Sequence, residues 1–556
     1  MSGISLQSID ELRAGLLGAH FEAGSAESRD VDAVLKQLDD YIAPRLADID
    51  APLLAVVGGS TGAGKSTLVN GVLQEEVTVS GVIRPTTRQP SLICHPADAA
   101  YFRSPRILPG LAREQGAANP QATTLRIVVS ERVPAGIALI DAPDFDSIDD
   151  TNRQLASQLL AAADLWIFVT TPARYADNLV WTFLGDAAGR DIEVIVVLNR
   201  VDSEALDTVP DDLRRMLAEH ELQAEVFVVP NQGPLTELMD PAPTAHVRER
   251  LTALAADAAA RRALSARTVA GALAQVRDRV EVLAAAQERR AEFGEQLDAA
   301  FDDNYARAAE SVSESTSDGS LLRTEVMNRW QDYVGTSDAF RGVDRWFAAA
   351  RDRIGSFFTG KPAPVREVAT EIETGLHAVI VDAADTAAAR SWSHLGAQAP
   401  QLRSRSDQSL AHASADVSER AAQVVRDWQS ELVARIEATA ASKRKTARLA
   451  SLGLNAVTVA LMIVVFASTA GLTGGEIAIA GGSAVVGQKL LETIFGEDTV
   501  RRMAKEARAD LDARVRDLLA AERSRFDAVT AELTAGTPAA ELRRAATAAY
   551  EEVRNV

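Results

Sequence analysis

The chain has 556 residues, 47% hydrophobic, 24% charged and only 5% aromatic, which excludes a disordered polypeptide and implies more than one domain. With 78 acidic against 58 basic side chains the formal charge is −20, which disfavours a general nucleic-acid binder, because phosphate contacts need a basic surface. A single cysteine, Cys94, excludes an intrachain disulfide or cysteine metal cluster; it fits a reducing cytoplasm and, within Ser91-Leu92-Ile93-Cys94, a buried strand thiol.

Residues 1–50 have helical periodicity. The opening segment lacks a basic region followed by an apolar core, so no signal peptide is expected. Ser8 and Glu11 have capping-box spacing, and Val31, Leu35, Leu38 and Ile42 form an apolar stripe. This is too little apolar surface for a domain, so these helices are expected to pack on later elements.

Over 51–240 short apolar runs alternate with helical stretches, the pattern of a mostly parallel α/β sheet with helices on both faces. Strands are expected at 53–57, 91–94, 124–129, 137–140, 165–170, 192–198 and 225–229. Runs such as Ile192-Glu193-Val194-Ile195-Val196-Val197-Leu198 imply burial on both sides.

The first strand leads into Gly59-Ser60-Thr61-Gly62-Ala63-Gly64-Lys65-Ser66-Thr67, which fits G-x-x-x-x-G-K-[ST] between a strand and a helix. Glycines let backbone N–H groups close around phosphate oxygens, and the following helix points its positive end at the same anion. In this P-loop reading Lys65 reaches the β- and γ-phosphates and Ser66 ligates Mg²⁺.

Three further elements follow. Arg84-Pro85-Thr86-Thr87-Arg88 precedes the second strand; Thr87, or alternatively Thr86, would ligate Mg²⁺ and sense the γ-phosphate, acting with Lys65 in catalysis. Ile137-Ala138-Leu139-Ile140-Asp141 ends in a carboxylate placed to hold Mg²⁺. Asn199-Arg200-Val201-Asp202 lies at the end of a buried strand, and a carboxylate there can accept two N–H bonds from guanine, which adenine cannot supply. The loop near Pro230-Asn231 is too generic to assign.

From 241 to 448 the pattern changes to long Ala/Arg/Glu-rich helices, expected to form a bundle or coiled-coil-like stalk. Leu273, Val276, Val280 and Leu283 make one stripe; Val425, Trp428, Leu432 and Ile436 make another. Trp330, Trp346 and Trp428 are expected in the core, and breaks at 313–320 and 360–364.

Segment 449–495 differs. Leu449 to Gly475 carries no charge, enough residues for the ~20 that span a hydrocarbon core. A Gly-rich turn at 471–475 and a second apolar run, 477–495, follow, with Lys443, Arg444, Lys445 and Arg448 before and Arg501, Arg502 and Lys505 after. The expectation is a membrane-inserted hairpin with both ends in the cytoplasm, either spanning the bilayer as a transmembrane helix or dipping into one leaflet; the alternative is an apolar hairpin buried in the bundle. Residues 496–556 restore an amphipathic helix through Leu511, Val515, Leu518, Phe526 and Val529.

The order Gly59–Ser66, Thr87, Asp141-Ala142-Pro143, Asn199-Arg200-Val201-Asp202 resembles a P-loop GTPase domain of the translation-factor class. Joined to long helices and a late apolar hairpin, it is similar to bacterial dynamin-like GTPases, including actinobacterial ones. The motifs cover only 59–202. The resemblance implies GTP hydrolysis with Mg²⁺ as cofactor, and an N-terminal segment that packs with the C-terminal helices. It also implies self-association or pairing with a related dynamin-like partner, and contact with membrane lipids on the cytoplasmic face of the cell membrane. Two departures bear on turnover: Asp144 stands where the family pattern D-x-x-G has glycine, and Thr61-Gly62 stand where eukaryotic dynamins carry Gln-Ser. A slow or partner-completed GTPase, a soluble regulatory GTPase with a helical interaction tail, and a hydrolysis-poor GTP-binding scaffold are the alternatives.

Overall fold

The strand that carries the glycine-rich motif, β1 (Leu53–Gly59), is buried along its whole length. The computed structural model describes residues 6–79, 89–119, 122–146, 150–233, 238–317, 363–440, 454–467 and 483–554. Within them lie also β2 (Ser91–Cys94), β3 (Arg113–Glu114), β4 (Leu125–Val129), β5 (Ile137–Asp141), β6 (Leu165–Thr170), β7 (Glu193–Val201) and β8 (Ala224–Pro230). They form one eight-stranded sheet in the order β3-β4-β2-β5-β1-β6-β7-β8. All neighbours are parallel except β2 and β5, which run antiparallel. The seven expected strands are present; β3, two residues long, is the addition.

Alternation along the strands separates two cores. Leu54, Val56, Ala138, Ile140, Trp166, Phe168, Val194 and Val196 face one side; Leu53, Ala55, Val57, Leu139, Ile167, Val169, Ile195 and Val197 face the other. Burial on both faces is what continuous apolar strands require.

In chain order the helices are α1 (Gln7–Leu17), α2 (Ala26–Gln37), α3 (Ala43–Ala47), α4 (Lys65–Leu73), α5 (Ala99–Arg103), α6 (Asp150–Ala161), α7 (Asn178–Gly189), α8 (Val209–Glu219), α9 (Pro241–Ala256) and α10 (Ala258–Ser317). Helices α4 and α9 cover the second face through Leu68, Val72, Val247 and Leu251. On the first face the strands share a core with α6 and α7 through Leu155, Leu159, Val180 and Leu184, and the same core takes in α1, α2, part of α10 and the helix Ala539–Arg554 through Leu542, Ala546 and Ala549. Ser8 lies inside α1, which begins at Gln7 after Leu6. The expected capping box is therefore not formed: the Ser8 hydroxyl donates instead to Glu552 at 2.6 Å.

At the start of β1 a buried polar clamp joins the N-terminal segment to the sheet. The Arg45 guanidinium pairs with Asp164, whose carboxylate also accepts from Tyr41 Oη at 2.9 Å and from the Leu54 N–H at 2.7 Å. Burial raises the Asp164 carboxyl above its ordinary range, partly offset by Arg45.

Contacts divide the chain into two compact units: Met1–Arg289 with Ala535–Val556, and Arg290–Thr534. Composition suggested a boundary near 240. Yet α9 and the stripe Leu273, Val276, Val280 and Leu283 belong with the sheet cores.

The second unit is helical. Its main helices, Ala363–Gln398, Val417–Thr439, Leu454–Ala467, Ser483–Phe495 and Glu497–Arg523, share one core with residues 297–312 of α10. Trp428 is fully buried there and donates Nε1–H to the Ala507 carbonyl at 2.8 Å. Glu522, also fully buried, accepts from Ser414 and pairs with Arg420 and Arg525. Trp330 and Trp346 lie outside the described residues.

Here the structure departs from the membrane expectation. Within the described residues the helix Leu454–Ala467 has 14 residues, against the ~20 that span a hydrocarbon core. Residues Ala456 to Phe466 are buried on every side within the bundle. Among the described residues no helix is long and apolar enough to cross a membrane, so the expected transmembrane helix is not found. Neighbouring helices take the place assigned to lipid: a helix apolar all round satisfies either environment. Lys443, Arg444, Lys445, Arg448 and the turn at 471–475 lie outside the described residues; Arg501, Arg502 and Lys505 are exposed.

Candidate phosphate-loop site

The loop between β1 and α4 has little tolerance for side chains. A Cβ on Gly59 would lie 2.2 Å from the Val169 carbonyl oxygen of neighbouring β6. Gly62 and Gly64 adopt φ of +78° and +90°, and a Cβ on Gly64 would meet Asn199 Nδ2 at 2.6 Å. Gly64 then caps α4, so Lys65 and Ser66 open that helix at its positive end.

The Lys65 ammonium is buried, donates to the Gly59 and Ser60 carbonyls at 3.0 and 3.2 Å, and pairs with Asp144. The Ser66 hydroxyl donates to Asp141 Oδ2 at 2.6 Å. Strand pairing sets Asp141, the last residue of β5, against Val57, two residues before the end of β1. Asp141 is fully buried and its Oδ1 has no hydrogen-bond partner. Burial pushes its carboxyl up to about 6; Ser66 and Lys65 act the other way.

An unpartnered buried carboxylate oxygen beside a serine hydroxyl is a hard-oxygen donor set that fits Mg²⁺. Ser66 and Asp141 would hold it, and the ion would neutralise phosphate charge. The third expected ligand, Thr87, and its alternative Thr86 lie outside the described residues. The approach to that segment is fixed by Asn70, whose Oδ1 accepts from the Val77 and Thr78 N–H groups, each at 3.0 Å. Thr78 Oγ1 in turn donates to the Ser66 carbonyl at 3.2 Å.

After β5, Asp144-Phe145-Asp146 alternates in direction. Phe145 is buried against Phe168 and Phe183, with ring centroids 5.7 and 4.6 Å away. Its two neighbours turn to the phosphate loop: Asp144 pairs with Lys65, and Asp146 Oδ1 accepts from the Thr61 N–H at 2.6 Å and its hydroxyl at 2.7 Å.

At the end of β7 the four-residue motif divides its roles. Asn199 is buried and donates to the Ala63 carbonyl at 2.8 Å, tying this strand to the phosphate loop. Arg200 sits at a bulge with φ +58°, a conformation that side-chain-bearing residues seldom adopt. Asp202 is exposed and accepts from Asn231 Nδ2 at 2.7 Å. The loop after β8 thus meets the Asp202 carboxylate. Its sequence carries no distinguishing signal; only the pairing of β7 with β8 places it. Asn70 and Asp146 likewise carry no distinguishing sequence signal beyond lying near the phosphate loop and the end of β5.

The structure thus brings together residues 59–67, Asp141, Asn199 and Arg200, with Asp202 and Asn231 at the open end of β7. Cys94 is buried, and burial pushes its thiol up to about 11, as a strand thiol requires.

No family model matches the chain. It is 24% identical over 177 residues to a probable transmembrane GTPase, FZO-like and chloroplastic, of Arabidopsis thaliana. The match takes in 30% of this chain and 18% of the plant protein, so this chain spans less than a fifth of that relative. Among solved structures, an oligomerised bacterial dynamin pair, described as providing a mechanism for long-range sensing and tethering of membranes, is 12% identical with a TM-score of 0.40, covering 100% of this chain and 96% of its own. A second structure of such a pair gives 11%, 0.41 and 98% of both chains. Superpositions this loose leave the fold to be read from this chain's own topology.

Proposed function

We propose that the chain is a Mg²⁺-dependent, dynamin-like GTPase that couples nucleotide state to self-association and to contact with membrane lipids. The observation that carries the nucleotide part is the convergence of Lys65, Ser66 and the unpartnered oxygen of buried Asp141 at the mouth of a glycine-constrained loop. The 177-residue likeness to a plant GTPase supports it. The guanine preference rests on exposed Asp202, with Asn231 beside it.

In this reading the loop N–H groups and Lys65 bind the phosphates, Ser66 and Asp141 hold the metal, and Thr87 completes the site. Asn199 positions the loop through Ala63 rather than through the base alone. The association and membrane parts rest on the resemblance and are tested separately.

Binding of fluorescent GTP and ATP to the full chain tests the site. GTP is expected to bind with Mg²⁺, Lys65→Ala to abolish binding, and Asp202→Asn to shift preference toward xanthosine nucleotides; equal ATP and GTP affinity would overturn the base assignment. Flotation of the full chain with anionic liposomes tests the membrane part. Deleting 449–495 is unsuitable as a control, since it removes the buried helix Leu454–Ala467 from the bundle core.

A second reading is favoured by that same burial: a regulatory GTPase whose apolar segment is bundle core and whose helical unit binds protein. Absence of flotation with and without nucleotide would select it.

A further inference from the structure

We propose that Asp144 and Asp146 bias the phosphate loop toward nucleoside diphosphate over triphosphate, the Asp144 carboxylate holding the place that a γ-phosphate would need on Lys65. The inference rests on the nucleotide-binding reading and deepens it.

The geometry is specific. Asp144-Phe145-Asp146 is pinned by Phe145, whose ring is buried between Phe168 and Phe183. The segment turns at Phe145-Asp146, and with the central ring anchored away from the loop both carboxylates face it. One takes the Lys65 ammonium; the other takes the Thr61 N–H and hydroxyl. A phosphate-loop lysine and loop N–H groups are phosphate ligands. Two anionic side chains of this chain therefore bond the groups that the distal end of a triphosphate would bond.

The consequence is a competition decided by charge. A diphosphate leaves the Lys65–Asp144 pair compatible with binding, because the outermost phosphate is missing. A triphosphate sets an anion against the Asp144 carboxylate, and like charges this close in a largely buried site are strongly unfavourable. Triphosphate must therefore push the Asp144-Phe145-Asp146 segment outward, and with it the Phe145 ring from between Phe168 and Phe183. The diphosphate form keeps the segment docked.

The test is titration of the full chain with fluorescent GDP and a non-hydrolysable GTP analogue in Mg²⁺, for wild type, Asp144→Asn and Asp146→Asn. Wild type is expected to favour the diphosphate. Asp144→Asn should tighten the triphosphate analogue by about tenfold or more while moving the diphosphate by less than about threefold, roughly one decade of preference. Asp146→Asn should act in the same direction with a smaller effect, and it carries the test if Asp144→Asn fails to fold. A merely structural role would move both nucleotides alike. An unchanged preference ratio in variants that still lose binding on Lys65→Ala would overturn this inference alone. No binding of either nucleotide by wild type would remove the nucleotide reading, and this one with it.

Discussion

The two ends of β1 each lie beside a cation–carboxylate pair, the first fully buried and the second part-exposed, and the two pairs are held differently. At the start, Asp164 is fully buried and receives Arg45, Tyr41 and the Leu54 N–H, while Arg45 also donates to the Ala51 and Pro52 carbonyls. At the end, Asp144 is 14% exposed and, among the described residues, has Lys65 as its hydrogen-bond partner. At the first site three donors converge on the carboxylate, Arg45, Tyr41 and the Leu54 N–H. At the second site the cation also holds the Gly59 and Ser60 carbonyls, so it stays in place when its anion changes. Satisfaction from many sides makes a clamp; a single replaceable anion over a fixed cation makes a receptor.

Four outcomes would break or sharpen this contrast. Arg45→Ala should have the largest effect, lowering stability by about 3–5 kcal/mol because it leaves Asp164 buried and unpaired. Chemical denaturation measures it, and a loss below about 1 kcal/mol would show that the first pair is no clamp. Lys65→Ala should do the reverse: nucleotide affinity falls by about 100-fold or more, roughly 3 kcal/mol, while stability changes little. Equal damage to stability would make the second pair structural too.

The third outcome concerns pH. With its carboxyl pushed up to about 6 by burial, Asp141 in the folded chain keeps a proton that the unfolded chain has already lost. Between the unfolded value of 3.8 and about 6 the folded state therefore binds more protons, and its contribution to stability falls as pH rises through that window. At about 1.4 kcal/mol per pH unit the loss is on the order of 3 kcal/mol above the window. Asp141→Asn should recover up to that amount at pH 7–8 and almost none near pH 4, as read by thermal unfolding against pH. The smallest effect is Tyr41→Phe, which removes one hydrogen bond from Asp164 and should cost about 1 kcal/mol without moving nucleotide affinity.

The contrast also shows which features were legible in the residues. The seven longer strands and the phosphate loop could be read because apolar runs and fixed glycine spacing are local signals. The two-residue β3 is too short to carry a periodicity. Asp146 and Asn231 reach the site only through sheet pairing, so their roles live in distance rather than in spacing. The capping box is absent because α1 begins at Gln7 and takes Ser8 into the helix, where its hydroxyl donates to Glu552, far along the chain. The apolar run around Val457–Phe466 could not distinguish protein from lipid, since burial by either demands the same side chains. The boundary expected at 240 was misplaced by composition: α10 continues unbroken from Ala258 to Ser317, and nothing in its residues marks where its packing partners change.

The contact between Ser8 and Glu552 bears on biosynthesis. Ile9, Leu12 and Leu16 leave the ribosome long before Leu542, Ala546 and Ala549, which join the same core. At about 5–20 residues per second the wait is roughly half a minute to two minutes. During that time the whole helical unit is made and can fold, while the apolar face of the N-terminal helix lacks its C-terminal cover. The nascent chain thus passes through a long interval in which this segment is most exposed to chaperones and to wrong partners.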